Sequence, residues 1–319
     1  MDWWAVSLCA IPLALVIDRR WGEPPVWLHP VVWMGRYLGA LGPRLCALPP
    51  ASAFVGGMLA WALGACLVVA LGLAVELMLQ WGGLLLGADA LWTAVVQAVL
   101  LALVLKPMLA WRMLRDEVAA VEQALAESLP AGRSQLQRLV SRDVAALDAT
   151  TVRESAIETL AENLNDSVVA PLFWFAVGGL PAAALYRFAN TADAMWGYRG
   201  RYEWAGKWAA HADDVVSWLP ARLTAVLLVL MSGRRLSWST LRRQAAQTPS
   251  PNGGWPMGAM ALLLGIQLRK PDVYVLHADG VLAQPQHTRL ALVWAGRAVW
   301  AAAVWSALLL WGIALLKGM

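Results

Sequence analysis

The stretch from Arg153 to Arg222 opens RESAIETLAENLNDSVVAPLFW (153–174), continues through YRFANTADAMWGY (186–198) and closes within HADDVVSWLPARL (211–223). Acidic residues gather here, although most of the chain is apolar. Glu154, Glu158, Glu162 and Asp166 follow one another at steps of four. On a helix that spacing makes one slowly winding acidic stripe. Like charges so placed repel by a few tenths of a kcal/mol per pair in water, and by more where water is scarce. Such a stripe calls for something cationic upon it: a metal ion, or the protein's own arginines.

Around this stretch the composition is that of a membrane protein. Of 319 residues 60% are hydrophobic and 14% charged, and the mean hydropathy is +0.56. A soluble domain carries roughly 25% charged residues. Twenty tryptophans exceed what a core needs, and Trp favours membrane–water interfaces. The expected fold is therefore all-α: one polytopic membrane domain over 1–319, with broken or partly inserted helices and polar loops. A net charge of +4 suits loops facing anionic lipid and gives no reason to expect nucleic acid. Cys9, Cys46 and Cys66 have neither metal spacing nor a disulfide pattern.

Residues 3–17 are apolar but short for a span, and Arg19 and Arg20 follow rather than precede them, unlike a signal peptide. The Pro- and Gly-rich segment 18–50 reads as turns and short helices. Residues 51–79 and 90–105 form an apolar hairpin around the linker WGGLLLGAD, which has no Lys or Arg. The segments on either side, 18–50 with four Lys and Arg and 106–166 with seven, are expected on the cytoplasmic side. Residues 108–129 have amphipathic helical spacing, Pro130–Gly132 breaks them, and 134–148 is a second polar helix or turn. Thr150 or Thr151 is the expected N-cap of the stripe helix, with Glu154 completing a capping box. Apolar segments 167–185 and 215–231 carry Pro171, Gly178, Gly179, Pro181 and Pro220, which argue against straight helices. Broken segments there would keep 186–214 on the cytoplasmic side, together with 232–289. Residues 290–316 form a last span containing Arg297.

No phosphate loop of the G-x-x-x-x-G-K-[ST] type, no dinucleotide-binding glycine fingerprint and no H-E-x-x-H is present. The four histidines are far apart in sequence, and no nucleophile elbow supports a Ser-His-Asp triad. Carboxylates are the stronger signal: Glu158, Glu162 and Asp166 beside Asn163, then Asp193, then Asp213–Asp214. Magnesium is typically held by one or two carboxylates plus substrate phosphates. The alternative is a structural ion network with Arg153, Arg187, Arg199 or Arg222. Near membrane-depth sequence, ionisable residues point to function. SPNGGWP (250–256) is a turn former able to bring backbone N–H groups to an anion. Arg222, inside an apolar run, needs a phosphate or carboxylate partner.

These residues carry a resemblance. The chain is similar, nearly end to end, to the CobD/CbiB family of cobalamin biosynthesis, the adenosylcobinamide-phosphate synthases. The marks are D-x-x-x-G-E-P with HPV (Asp18, Gly22–Pro24, His29–Val31) and SRD at 141–143. ET with AEN and D follow (Glu158, Glu162, Asn163, Asp166), then AP at 170–171. NT-x-D with GY (Asn190, Thr191, Asp193, Gly197, Tyr198), ADD with PARL (Asp213, Asp214, Pro220–Leu223) and SPN-x-GWP complete them. Glu23 stands where Asp is expected, and Met257 where many relatives carry Glu.

The resemblance implies ATP-dependent amide synthesis. Adenosylcobyric acid would be joined to aminopropanol phosphate or ethanolamine phosphate, giving adenosylcobinamide phosphate at a bacterial inner membrane with the site facing the cytoplasm. Expected partners are the corrinoid, the amino-alcohol phosphate, membrane lipid and other nucleotide-loop assembly enzymes. Expected cofactors are ATP and Mg²⁺, with Glu158, Glu162, Asp166, Asp213 and Asp214 holding the ion. Arg222 and the loop residues Ser250, Asn252, Gly254 and Trp255 would meet phosphate oxygens. Asn163, Asn190 and Tyr198 would contact substrate, and Asp193 or His29 would act as base. A transporter would also show acidic residues beside broken apolar segments, but no inverted repeat is visible. A non-catalytic scaffold for corrinoid-assembly enzymes is the third class.

Overall fold

The computed structural model describes residues 2–85 and 89–318. Its helices are α1 (Trp3–Trp21), α2 (Pro30–Cys46), α3 (Pro50–Leu85), α4 (Ala90–Leu105), α5 (Trp111–Glu127), α6 (Leu129–Leu136), α7 (Ala149–Leu164), α8 (Ala170–Trp196), α9 (Lys207–Ser232), α10 (Trp238–Ala245), α11 (Gly254–Leu264) and α12 (Pro285–Leu316). One antiparallel pair, β1 (Leu268–Lys270) and β2 (Tyr274–Leu276), joins in the register Arg269↔Val275. Among the described residues, five helical runs are long and apolar enough to cross a membrane: Pro50–Gly83, Ala90–Met108, Ala149–Trp196, Lys207–Ser232 and Pro285–Leu316. The protein is an all-α polytopic membrane protein.

The chain divides into two compact units. The first gathers Met1–Ala110, Ala170–Ser217 and Ala303–Met319. In it α3 packs on α8, α1 on α4, and α2 on both α3 and α8. Met34, Leu38, Ala65, Phe188, Ala192 and Trp196 form its core. Small residues set how near the helices come: a Cβ on Gly72 would lie 2.9 Å from Pro181 Cα. As expected, α8 is broken, at Gly178 and Gly179, where Gly179 has φ +67°. A break at membrane depth frees backbone N–H groups that no water can satisfy. Buried Glu76 of α3 answers this by accepting the Leu180 N–H at 2.8 Å. It thereby caps the second half of α8.

The second unit gathers Trp111–Val169 and Trp218–Ala302. Here α5 packs on α6 and α7, and α7 on α11 and β1. Arg153 forks onto Glu122 at 2.7 and 2.8 Å, and Thr288 donates to the same carboxylate.

The structure corrects several expectations. Segment 18–50 contains α2, seventeen residues long, because Pro30 at its N-terminus is pre-set for a helix and the His29 ring caps it. Pro130 starts α6 instead of breaking a helix, with Ser128 as N-cap. The α7 cap is Asp148, which accepts from the Thr151 N–H at 2.7 Å and from the Thr151 hydroxyl at 2.8 Å. Thr150 and Thr151 thus lie in the first turn, and Glu154 pairs with Arg269 instead of closing a capping box. Helix α3 continues through the first part of the expected linker 81–89, of which 86–88 lie outside the described residues.

Three substitutions test the broken helix. Gly179→Ala forces a side chain onto φ > 0 and into the Glu76 carboxylate, and should cost on the order of 1–3 kcal/mol. Glu76→Leu should cost a similar amount, whereas Glu76→Gln, which keeps an acceptor, should melt near wild type. Thermal unfolding in lipid nanodiscs reads all three. A Glu76→Leu melt equal to that of Glu76→Gln would remove the capping role.

Candidate functional site

Successive stripe positions rotate by roughly 40° on a helix of 3.6 residues per turn, so the four acids face different neighbours. Glu154, fully buried, receives a fork from Arg269 at 2.8 and 3.1 Å. Asp166 falls in a π-turn, Asn165–Val169, and accepts from Asn165 Nδ2 at 2.8 Å. Thr224 donates to Asn165 Oδ1 at 3.1 Å, tying this turn to α9 within the second unit. π-Turns of this kind occur frequently at functional sites.

Glu158 and Glu162 face a cavity of about 160 Å³. Ser141, Arg142, Asn163 and Lys270 also line it. Arg142 Nη2 donates to Ser155 Oγ at 2.7 Å and stands 4.0 Å from Glu158 Oε1. Its Nε and Nη1, and Glu158 Oε2, are buried without a hydrogen-bond partner. Tyr274 belongs to the same neighbourhood. Burial pushes its phenol far up, and the Glu158 charge adds to this. Its hydroxyl lies 3.8 Å from Met257 Sδ, so a thioether occupies the place where a carboxylate was expected.

The SPNGGWP loop passes against Glu162: a Cβ on Gly253 would lie 3.2 Å from Glu162 Oε1. Ser250 Oγ accepts the N–H groups of Asn252 and Gly253 at 3.2 and 3.1 Å, folding the turn. Gly254 opens α11 where only a glycine fits, against the Ala245 carbonyl. Arg222 donates to Asn252 Oδ1 at 3.1 Å and to the Trp218 carbonyl at 2.6 Å. Its guanidinium lies 4.1 Å from the Trp218 ring centre and 4.7 Å from that of Trp255. Arg222 therefore has protein partners and rings that fix its plane.

The remaining expected residues belong to the first unit. His29 Nδ1 accepts the Val31 N–H, and Nε2 faces Glu23 Oε2 at 3.1 Å, so the proton sits on Nε2. Lys106 reaches Glu23 at 2.8 Å and Asp18 at 3.4 Å. Burial raises the Glu23 carboxyl, but hydrogen bonds from His29 and Lys106 prevail and hold it below its ordinary value. Asn190 accepts from Arg187 at 3.4 Å, and Asp213 from Ser217 at 3.5 Å. Gly197 lies against the Asp193 carboxylate, Tyr198 is exposed, and Asp214 is half-buried on α9. Among the described residues, no group of three or more His, Cys, Asp or Glu side chains is disposed to hold a metal ion. A cation at Glu158 and Glu162 would depend on ligands brought by substrate.

Sequence reading missed three residues beside this cavity. Arg142 lay in a noted motif, SRD, without a role. Lys270 and Tyr274 carried no local signal, and only the β1–β2 pair places them beside α7.

A helical membrane protein with a built polar cavity of carboxylates and cations is the class these features define. The chain belongs to the CobD/CbiB family: the model described as CobD/Cbib protein matches residues 11–291. It is 38% identical over 268 residues to the probable cobalamin biosynthesis protein CobD of Pyrococcus abyssi, covering 84% of each chain. Cobalamin biosynthesis protein CobD of Brucella suis is 39% identical over 285 residues, again covering 84% of each. That of Rhodobacter capsulatus is 38% identical over 281 residues, 86% of this chain and 84% of its own. No solved structure matches.

The α7 framework can be tested apart from activity. Arg269→Met leaves buried Glu154 without its fork and should cost about 3 kcal/mol, most of it recovered by adding Glu154→Leu. Asp148 is held below its ordinary value by hydrogen bonds from Thr151. Its contribution is therefore present above the pH where the unfolded carboxyl titrates, roughly 4, and is lost as pH falls through the lower folded value. Asp148→Asn should flatten that acid limb of the melting curve. An unchanged limb would assign it to other carboxylates.

Proposed function

We propose that the protein acts in cobalamin biosynthesis as an ATP-dependent acid–amine ligase that joins adenosylcobyric acid to an amino-alcohol phosphate, giving adenosylcobinamide phosphate. The relatives' names support the pathway. The observation that carries the chemistry is the cavity in which two motif carboxylates, Glu158 and Glu162, meet two cations.

A carboxylate is a poor electrophile, so its oxygen must first take a phosphoryl group. A propionate oxygen of the corrinoid attacks the γ-phosphorus and ADP leaves. The amine nitrogen then attacks the acyl carbon, inorganic phosphate leaves, and the amine proton passes to a base. Charge on the transferring group has to be met by fixed opposite charge, and the partners held in line. Glu158 and Glu162 would hold Mg²⁺, which when bound neutralises phosphate charge. The buried, unpartnered Glu158 Oε2 fits that duty, and two carboxylates plus phosphates are a usual magnesium set. Asn163 and the Ser250–Trp255 loop, beside Glu162, would orient the phosphate-bearing substrate. Arg222 and Trp255 would form the firm wall of that loop. Asp166, in the π-turn of the same unit, would assist in positioning. The site would face the cytoplasm from a bacterial inner membrane, where lipid and later nucleotide-loop enzymes are at hand.

Purified protein in nanodiscs, given ATP, Mg²⁺, adenosylcobyric acid and aminopropanol phosphate, should yield the corrinoid amide and ADP. Glu158→Gln and Glu162→Gln should each lower kcat/KM by on the order of 100-fold with melting retained. No amide from folded wild type would end the ligase proposal. Full turnover in both variants would end the assignment of the carboxylates.

A further inference from the structure

In the second unit, Arg153 on α7 and Arg269 and Arg142 beside it are not used alike. Arg153 forks onto Glu122 with two bonds of 2.7 and 2.8 Å. Arg269 forks onto Glu154 with two of 2.8 and 3.1 Å. Both are the bidentate pairs expected of structural arginines. Arg142 is different. It reaches Glu158 only at 4.0 Å, beyond hydrogen-bonding range, and is pinned by one bond to Ser155 Oγ. Its Nε and Nη1 are buried and unpartnered. Unsatisfied charged donors are costly in a protein interior, and a fold that builds two proper forks nearby could have closed a third. Lys270 brings a second positive charge to the wall of the same cavity.

We infer that Arg142 and Lys270 form the phosphate-binding pair of this site. The inference rests on the ligase proposal only for which phosphorylated substrate is held. A guanidinium offering two adjacent N–H donors matches two oxygens of one phosphate, and a lysine adds a point charge. The cavity, about 160 Å³, has room for a phosphate group beside these two cations. Glu158 and Glu162 on the opposite sign complete the arrangement, since a bare phosphate facing two carboxylates is repelled unless cations flank it. The phosphate comes either from the nucleotide or from the amino-alcohol phosphomonoester, which share this chemistry.

Equilibrium binding to the full-length protein in nanodiscs separates these sources, with ADP, inorganic phosphate and O-phosphoethanolamine as probes, each with Mg²⁺. Arg142→Gln and Lys270→Gln should weaken at least one probe by tenfold or more, and Arg142→Lys should recover part of the loss. Loss confined to ADP assigns the nucleotide phosphate; loss confined to O-phosphoethanolamine assigns the amine substrate. Lys270 is half-buried at a strand end, so its replacement leaves the fold intact even where an Arg142 variant does not. Unchanged affinity for all three probes in Lys270→Gln, or no binding of any probe to wild type, overturns the pair. Because binding is read without turnover, a protein that binds phosphate through this pair yet makes no amide would refute the ligase and spare the inference.

Discussion

An ionised side chain in an apolar helical framework has to be matched where it sits, because neither water nor mobile ions can reach it. Much of this protein's organisation follows from that constraint. Glu154 is fully buried and held by Arg269, and Glu122 binds Arg153 to the same unit. In the first unit, Lys106 is buried between Asp18 and Glu23, with His29 beyond. Beside the matched pairs of the second unit, the α7 cavity keeps charged donors and an acceptor in reserve. Arg142 Nε and Nη1 and Glu158 Oε2 are buried there without partners.

The same constraint governs the backbone. Helix α8 breaks at Gly178–Gly179 because a left-handed residue interrupts it, and the N–H groups released need an acceptor at a depth where solvent is scarce. Glu76 supplies one. An acid inside a candidate span would by default suggest an ion path, yet here the carboxylate serves a helix end. Asp148 does comparable work at the start of α7, outside the apolar run. Carboxylates therefore do three different jobs in this chain: capping helices, pairing with arginine, and lining the cavity.

Much of this is legible in the sequence. Composition and long apolar runs specify a membrane protein, and Gly178, Gly179 and Pro181 mark a break. The i, i+4 acids specify a helix with a charged stripe, and SPNGGWP specifies a turn, which proves to lie beside Glu162. Other features were hidden for physical reasons. Asp148 is masked by two threonines just after it that are themselves good caps, and only the backbone path decides which side chain reaches the free N–H groups. Helix α2 was masked by its prolines and glycines, whose positions at a helix start and a close contact are tertiary matters. The division of the stripe into paired and unpaired members depends on Arg269 and Arg142, and neither arginine is near its partner in sequence. Lys270 entered through a hairpin too short to leave a pattern.

The most direct measurement is a cryo-electron-microscopy structure of the protein in nanodiscs with Mg²⁺ and a non-hydrolysable ATP analogue. Terminal-phosphate density between Arg142 and Lys270, with the metal ion on Glu158 and Glu162, is the expected result. Well-resolved nucleotide elsewhere, for example at the pocket of the first unit lined by Tyr198, Lys207 and His211, with the α7 cavity empty, would contradict it.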